Sequence, residues 1–471
     1  RIEVSNTDLA NHMTSASLQR ILTIARLTFR AAFRFKLIPW LCLLLGLAIG
    51  LIPYFIRHDG TAQMFAQVQL SYSLMTTSIL LAAATIWLSC GILAQDLEKR
   101  HITLLVSKPV ARWELWLGRW IGIGALNTLL LGIAGAGILS QLSWHAKNLS
   151  VEEQLKLRQS VLTSRASHLE PFPDEEAEVQ RLFEKRQEQV SYESLDVALV
   201  KERLRQEVQW MNQLVQPLRM RQWQVPVRGS SSLKEGDTLQ LRAKFYAPPD
   251  TSKQTYRMTW IVGNPVSPQR FEKELDLAPM ATHEWSVPAS LIDADGMLRV
   301  ECRNYSDQSL IFKPEDGLEV LSKDGTFLFN FFKGLAVLLA WMGLLAAMGL
   351  WAATFASLPV ATFLILTVLM VTSSDSLFRS IVSEGTISSV DEHTGRASWD
   401  YLDWFMVPIF TLLHHFTETL RSIAPIDRLV TGRSIPFAAL ITHILLVIGF
   451  LGGSLMGLGM LFLTRKELDQ R

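Results

Sequence analysis

Apolar residues gather into long runs near both ends of the chain, and a charged, polar stretch lies between them, from about residue 141 to 327. Six runs reach or approach the ~20 residues that an α-helix needs to cross a ~30 Å hydrocarbon core: roughly 37–57, 70–95, 114–140, 328–354, 358–374 and 436–463. The fifth, 358–374, is at the short end of the range. Ahead of the first run, residues 17–36 read as an amphipathic helix in which Arg20, Arg26, Arg30 and Arg34 alternate with Leu, Ile and Phe. Such a helix lies in the headgroup layer, where guanidinium groups meet lipid phosphate, and the Ser17 hydroxyl is placed to cap it. Residues 1–16 form an N-terminal extension with no structural prediction.

The polar block changes character along its length. Residues 150–222 are charged and helix-favouring, broken at Pro171-Phe172-Pro173-Asp174, and Asp174, Glu175 and Glu176 suit the positive start of a following helix. This predicts a helical stalk. After Pro226 the period falls to two, in 238–245, 256–262 and 297–302, with turn clusters such as Glu235-Gly236-Asp237 and Asp293-Ala294-Asp295-Gly296 between the runs. That pattern predicts a β-sandwich over 223–322, so that 141–327 forms an inserted α+β domain. In the outer segment 375–435, the apolar run from Tyr401 to Phe416 is interrupted by Pro408. It reads as an interfacial or re-entrant helix with Trp399, Tyr401 and Trp404 at headgroup level.

Basic residues orient the scheme. The N-terminal arm, the turn at 96–113 within the 37–140 block of three spans, and the tail from Thr464 to Glu467 within 436–471 are rich in Lys and Arg. An even number of spans places all three on the cytoplasmic side, and puts 141–327 and 375–435 outside, on either side of the fourth and fifth spans at 328–374. The net charge of +1 and the 49% hydrophobic content average over this segregation.

The chemistry is sparse. Cys42, Cys90 and Cys302 offer neither a disulfide framework nor zinc spacing. No G-x-x-x-x-G-K-[ST] loop is present to cradle a nucleotide, and Gly432-Arg433-Ser434 lacks the context of one. Within the spans Arg119, Lys333 and His443 are the main ionisable groups, each near an end and expected to snorkel outward. Ion-coupled transport needs buried acids or broken helices at mid-membrane, and none is legible. His414-His415 with Glu418 offers two ligands at helical spacing, too few for a metal site, and Asp391-Glu392-His393 reads as a charged loop cluster. The outer Asp and Glu residues read as solvated surface. No catalytic, cofactor-binding or metal-binding residue is expected in this chain, which is not read as an enzyme.

The stretch at 96–119 carries Glu98, Arg100, Thr103-Leu104-Leu105, Lys108-Pro109-Val110, Arg112 and Gly118-Arg119. In these residues it resembles the membrane subunits of ATP-binding-cassette transporters of the ABC-2 type, the branch with six spans and a separate ATPase. His101-Ile102 stands where that family usually has a glycine, and Arg119 where it has lysine. The layout is similar too, with an elbow helix at 17–36, a coupling helix at about 97–112 and outer helices at about 376–424. The large insert at 141–327 is not part of the common pattern.

The resemblance implies an ABC-2 type permease fold of six spans in a bacterial inner membrane, with both termini cytoplasmic. It implies an exporter's permease that pairs with a second permease, identical or different, and with a cytoplasmic ATPase that binds the ATP and Mg. Glu98, Arg100, Thr103, Leu104, Leu105, Pro109 and Arg112 would form the ATPase-coupling surface. Arg20, Arg26, Arg30, Arg34, Trp399, Tyr401 and Trp404 would sit at the membrane interface. An envelope partner for the outer domain is a further expectation, and no nucleic acid is expected. The alternative is a membrane-anchored envelope sensing, adhesion or scaffold protein that displays 141–327.

Overall fold

The computed structural model describes residues 6–34, 37–55, 61–98, 111–171, 175–187, 197–227, 229, 236–247, 255–264, 270–314, 316–373, 381–382, 387, 401–421 and 425–468. These form two compact units, one made of Arg1–Thr163 with Thr326–Arg471 and the other of Ser164–Gly325.

The first unit is helical. Its elements are α1 (Asn6–Arg34), α2 (Leu37–Phe55), α3 (Ala62–Glu98), α4 (Arg112–His145), α5 (Val151–Lys156), α8 (Phe327–Ala352), α9 (Leu358–Ser373), α10 (Tyr401–Arg421), α11 (Pro425–Val430), α12 (Phe437–Ile444) and α13 (Gly453–Leu468). Among the described residues, four helical stretches are long and apolar enough to cross a membrane: Ala62–Leu93, Arg112–Asn148, Phe327–Ala352 and Phe437–Phe462. The last runs continuously through a π-helical segment, Leu445–Gly452, that joins α12 to α13. A fifth arises if α1 and α2, bent by 66° from one another, are one span. The 16-residue α9 is apolar but shorter.

Helix α8 is the centre of this unit, 72% buried along its apolar window, and packs on α3, α4, α9 and α11. Close approach makes this possible. A Cβ added at Gly349 of α8 would stand 1.8 Å from Ser89 Oγ of α3, and one at Gly334 would stand 2.4 Å from Leu429 Cδ1 of α11. Only hydrogen fits at either place.

Helix α3 buries a polar stripe. Gln69, Ser73, Thr77, Thr85 and Ser89, with Leu81 and Leu93 on the same four-residue spacing, are each at most 3% exposed. About one turn of helix separates each from the next, so neighbours in the series share a face and the stripe winds slowly about the axis. At the N-terminus of α3, Ala62 N donates to Glu153 Oε2 of α5 at 2.7 Å, so a carboxylate meets the positive helix end.

The second unit contains α6 (Glu175–Gln187) and α7 (Val197–Gln213), which pack through Val179, Phe183, Leu204 and Val208. Its strands are β1 (Thr163–His168), β2 (Leu214–Val215), β3 (Met220–Pro226), β4 (Thr238–Ala243), β5 (Tyr256–Val262), β6 (Phe271–Leu277), β7 (His283–Pro288), β8 (Met297–Asn304), β9 (Leu310–Ile311) and β10 (Leu318–Thr326). They form sheets ordered β1-β10-β4-β7 and β3-β8-β5-β6, with β2-β9 as a separate pair. The inward residues of both four-stranded sheets share one core. Trp260 lies at its centre, 5.1 Å from the Trp285 ring and 5.9 Å from those of Trp223 and Phe312.

Several expectations need correction. Helix α1 begins at Asn6, so Ser17 is not its cap. Thr163–His168, expected within a helical stalk, is a strand, and the helical stretch ends at Gln213 rather than 222. The outer acids are not all solvated. Arg242 sits opposite Glu284 on β7 and Glu319 on β10, bonded at 2.7 and 3.2 Å, with Glu319 only 1% exposed. Burial also lowers the affinity of the Arg165 guanidinium for its proton, against the pull of Glu284.

Breaking a buried pair leaves a charge uncompensated. Glu319→Ala is therefore expected to cost about 3–5 kcal/mol in urea unfolding of the second unit. Replacing Arg242, Glu284 and Glu319 together by apolar residues of similar volume is expected to cost far less.

Candidate functional site

The resemblance-based coupling residues fall mostly outside the described residues: Arg100, Thr103, Leu104, Leu105 and Pro109 do so entirely. Glu98 is the last residue of α3, its side chain not described, and Arg112 is the exposed first residue of α4. Of the interface set, Trp399 lies outside the described residues, while Arg34 and Tyr401 are described only as helix positions. Arg26 and Arg30 are exposed on α1. Trp404, on the proline-containing α10, is 81% exposed.

What the structure does place around the start of α4 is a clamp. Glu114, in the first turn, is 1% exposed. Its carboxylate accepts from Arg20 Nε at 3.0 Å and Arg20 Nη2 at 2.9 Å, a two-pronged geometry that fixes orientation as well as distance. Its Oε2 also accepts from Ala111 N at 3.1 Å, satisfying one of the amides that every helix start leaves free. Arg20 Nη2 donates to Ser17 Oγ at 3.0 Å as well. One buried carboxylate therefore ends the 99–110 connection and holds α1.

The two helices then lie against each other at a Gly118-x-x-x-Gly122 surface. A Cβ on Gly118 would stand 2.7 Å from Ile24 Cβ and 2.9 Å from Ile21 O; one on Gly122 would stand 2.7 Å from Ala25 O. Ile21, Ala25, Thr28 and Ala32 form the buried face of α1. Small residues at four-residue spacing let helix backbones touch where no hydrophobic gain drives them together.

Deeper in the unit, polar bonds link the helices. Gln69 Nε2 donates to Gln141 Oε1 at 2.5 Å, and Gln141 Nε2 donates to Ile49 O, tying α3, α4 and α2. Thr85 Oγ1 lies 3.1 Å from Asn127 Oδ1 across α3 and α4. Arg119 is 3% exposed, and so does not snorkel to open surface as its position suggested. Lys333 and His443 are also engaged within the protein. Lys333 Nζ donates to Ile435 O at 2.8 Å, and Trp341 Nε1 donates to His443 Nε2 at 3.1 Å. Asn330 adds two more bonds, to Arg433 O and from Ile435 N, both 2.8 Å, so the turn before α12 is fastened to α8.

His414 Nε2 and Glu418 Oε2 lie 3.9 Å apart, and among the described residues no group of three His, Cys, Asp or Glu could hold a metal ion. Asp391-Glu392-His393 lies outside the described residues. No protein family, no curated protein and no solved structure matches the chain.

The signals for this clamp were present in the sequence but unpaired. Glu114 stands three residues after Ala111, the spacing of half a capping box, and Gly118 and Gly122 form a small-x-x-x-small pair. Their partner on α1 was not legible.

Substitution at the seat separates packing from helix propensity. Gly118→Ala or Gly122→Ala is expected to destabilise by about 1–3 kcal/mol, since each added methyl meets backbone or Cβ atoms. Gly124→Ala and Gly132→Ala on the same helix, where nothing lies within 4 Å, are expected to be neutral or stabilising. Thermal unfolding in detergent, read by circular dichroism, measures the difference.

Proposed function

We propose that this chain is the permease subunit of an ATP-driven transporter of the ABC-2 type, coupled to a separate cytoplasmic ATPase. The observation that carries the reading is the clamp. The short connection between α3 and α4 delivers its chain directly into a helix end that Glu114 bonds to Arg20, with α1 seated on Gly118 and Gly122. A displacement applied to that connection by a partner would be passed to α4 and α1 together rather than absorbed in a loose turn.

Six spans follow if α2 and α9 each cross, beside the four long helices. In that arrangement α1 lies in the headgroup layer at 66° to α2, with Arg26 and Arg30 toward lipid phosphate. The basic arm, the 96–113 turn and the tail face the cytoplasm of a bacterial inner membrane. Ser164–Gly325 then lies outside. Glu98, Arg100, Thr103, Leu104, Leu105, Pro109 and Arg112 form the ATPase contact, export is the direction, and ATP and Mg are bound by the partner.

Gentle purification from native membranes, with mass spectrometry of bound subunits, tests this. The expected result is a stoichiometric ATP-binding subunit that is lost in the double charge reversal Glu98→Lys with Arg100→Glu, while helical content is unchanged. Recovery of envelope proteins with no ATPase would instead support a display or sensing protein.

A further inference from the structure

The outer segment buries most of its large apolar side chains and exposes a few, and those few are not scattered. Among the described residues of Ser164–Gly325 the exposed large apolar side chains are Trp210, Met211, Leu218, Met220, Met280 and Tyr305, each between 51% and 80% exposed. Strand register, the backbone bonds that flank it and the last turn of helix α7 bring them toward one end. Met220 pairs with Arg303 at the last rung of β3 and β8, and Leu218 N donates to Asn304 O at 2.9 Å. Tyr305 N donates to Arg257 O at 3.2 Å, beside the Tyr256–Leu277 rung that closes β5 and β6. Met280 N donates to Phe245 O at 2.8 Å just beyond the end of β4. Helix α7 ends there too, since Gln213 O accepts from Phe312 N at 2.8 Å. The opposite end of the sandwich carries the Pro226–Met297 and Thr238–Pro288 rungs and Thr326, from which the chain enters α8.

A second observation is independent of exposure. Leu218 has φ 57° and Met280 has φ 62°; among the described residues these are the positive-φ positions not held by glycine. A bulky side chain there strains the backbone, in the left-handed region that glycine enters freely. Glycine would remove that cost, yet at both positions a large apolar group is carried, at 80% and 71% exposure. Neither side chain contributes to the core, so the strain is not offset within the fold.

The charges around these residues decide what the surface fits. Arg257 faces Glu274 and Asp276 at 3.5 and 3.4 Å, Lys244 faces Asp316 at 3.0 Å, and Arg303 faces Glu301 at 2.6 Å. Both signs alternate. An anionic lipid surface selects clustered cations instead. An apolar centre with a mixed polar rim is the anatomy of a protein interface, and a rim carrying adjacent charges of both signs matches a two-fold copy of itself. With an aromatic side chain carrying ~150–250 Å² and Leu or Met somewhat less, six that are more than half exposed offer on the order of several hundred Å². A standard interface takes about 800 Å² from each partner.

We propose that this end of the outer segment is an isologous docking surface for a second copy of the same chain. The inference stands whether or not the chain is a permease.

Cysteine cross-linking in native membranes tests it, since Cys90 and Cys302 are buried and Cys42 is partly so. Asp307→Cys places a thiol at the apolar end without touching the six side chains, and Asp295→Cys places one at the opposite end. With a short bis-maleimide, Asp307→Cys is expected to give a dimer containing only this chain, and Asp295→Cys none. Adding Leu218→Glu and Met280→Glu is expected to lower the dimer yield about tenfold, as for loss of two central contacts. Adding Leu218→Gly and Met280→Gly instead is expected to lower the yield while raising the unfolding midpoint of the outer segment, because the strain is relieved. That pair keeps the test sound should the charged variants misfold. No Asp307→Cys dimer, an adduct with a different protein, equal yield at Asp295→Cys, or protection of Asp307→Cys by phospholipid vesicles alone would each overturn the proposal.

Discussion

Helices facing hydrocarbon gain nothing by exchanging lipid for one another, so what holds them must be close backbone contact and a few well-placed polar bonds. The helical unit is built on that constraint. Gly118 and Gly122 admit α1 to α4, Gly334 admits Leu429 of α11 to α8, and Gly349 admits Ser89 of α3 to α8. Each of these glycines occupies a position where a methyl group would overlap a neighbour. Helix α8 can be buried on most sides only because the helices around it meet it at such points. By contrast a Cβ added at Gly46, Gly50, Gly124 or Gly132 would meet nothing within 4 Å, so glycine content alone does not locate a contact.

Polar groups follow the same rule in both units, with different partners. In the helical unit, neutral amides and hydroxyls from α3 meet α4, as in Gln69 with Gln141 and Thr85 with Asn127. The buried Glu114 carboxylate there has Arg20 beside it, and the half-buried Lys333 donates to a carbonyl. In the sandwich the buried polar group is a full ionic row, Glu284, Arg242 and Glu319, on three adjacent strands. Such a row contributes little net stability, but it disfavours any register shift, because a one-residue slip would face each charge with an uncharged neighbour.

Local signals that belong to one element were legible in the chain. The four long apolar helices and the alternating strands β4, β5 and β8 follow directly from hydrophobic period. What could not be read depends on two elements at once. Thr163-Ser164-Arg165-Ala166-Ser167-His168 has no strong strand pattern, and becomes a strand because β10 offers it an edge. Arg242 falls between the apolar positions of the alternating 238–245 run, yet Glu284 and Glu319 flank it and it is buried. Arg119 and His443 looked like end residues because their distance from the apolar boundary was short, whereas packing buries both. The Glu114–Arg20 pair joins residues 94 positions apart, and nothing in either segment named the other.

That long-range pair also explains why one short segment can carry so much of the arrangement. Glu114 accepts from Ala111, which ends the incoming connection, and from Arg20, which fixes the rotation of α1 about its own axis. Rotation of α1 decides which of its residues meet Gly118 and Gly122, and in this register they are Ile21, Ile24, Ala25 and Thr28. The side chain that starts α4 thus sets the register in which α1 packs on it. Position of the connection, capping of α4 and seating of α1 are therefore three consequences of one buried carboxylate, and none can shift without disturbing the other two.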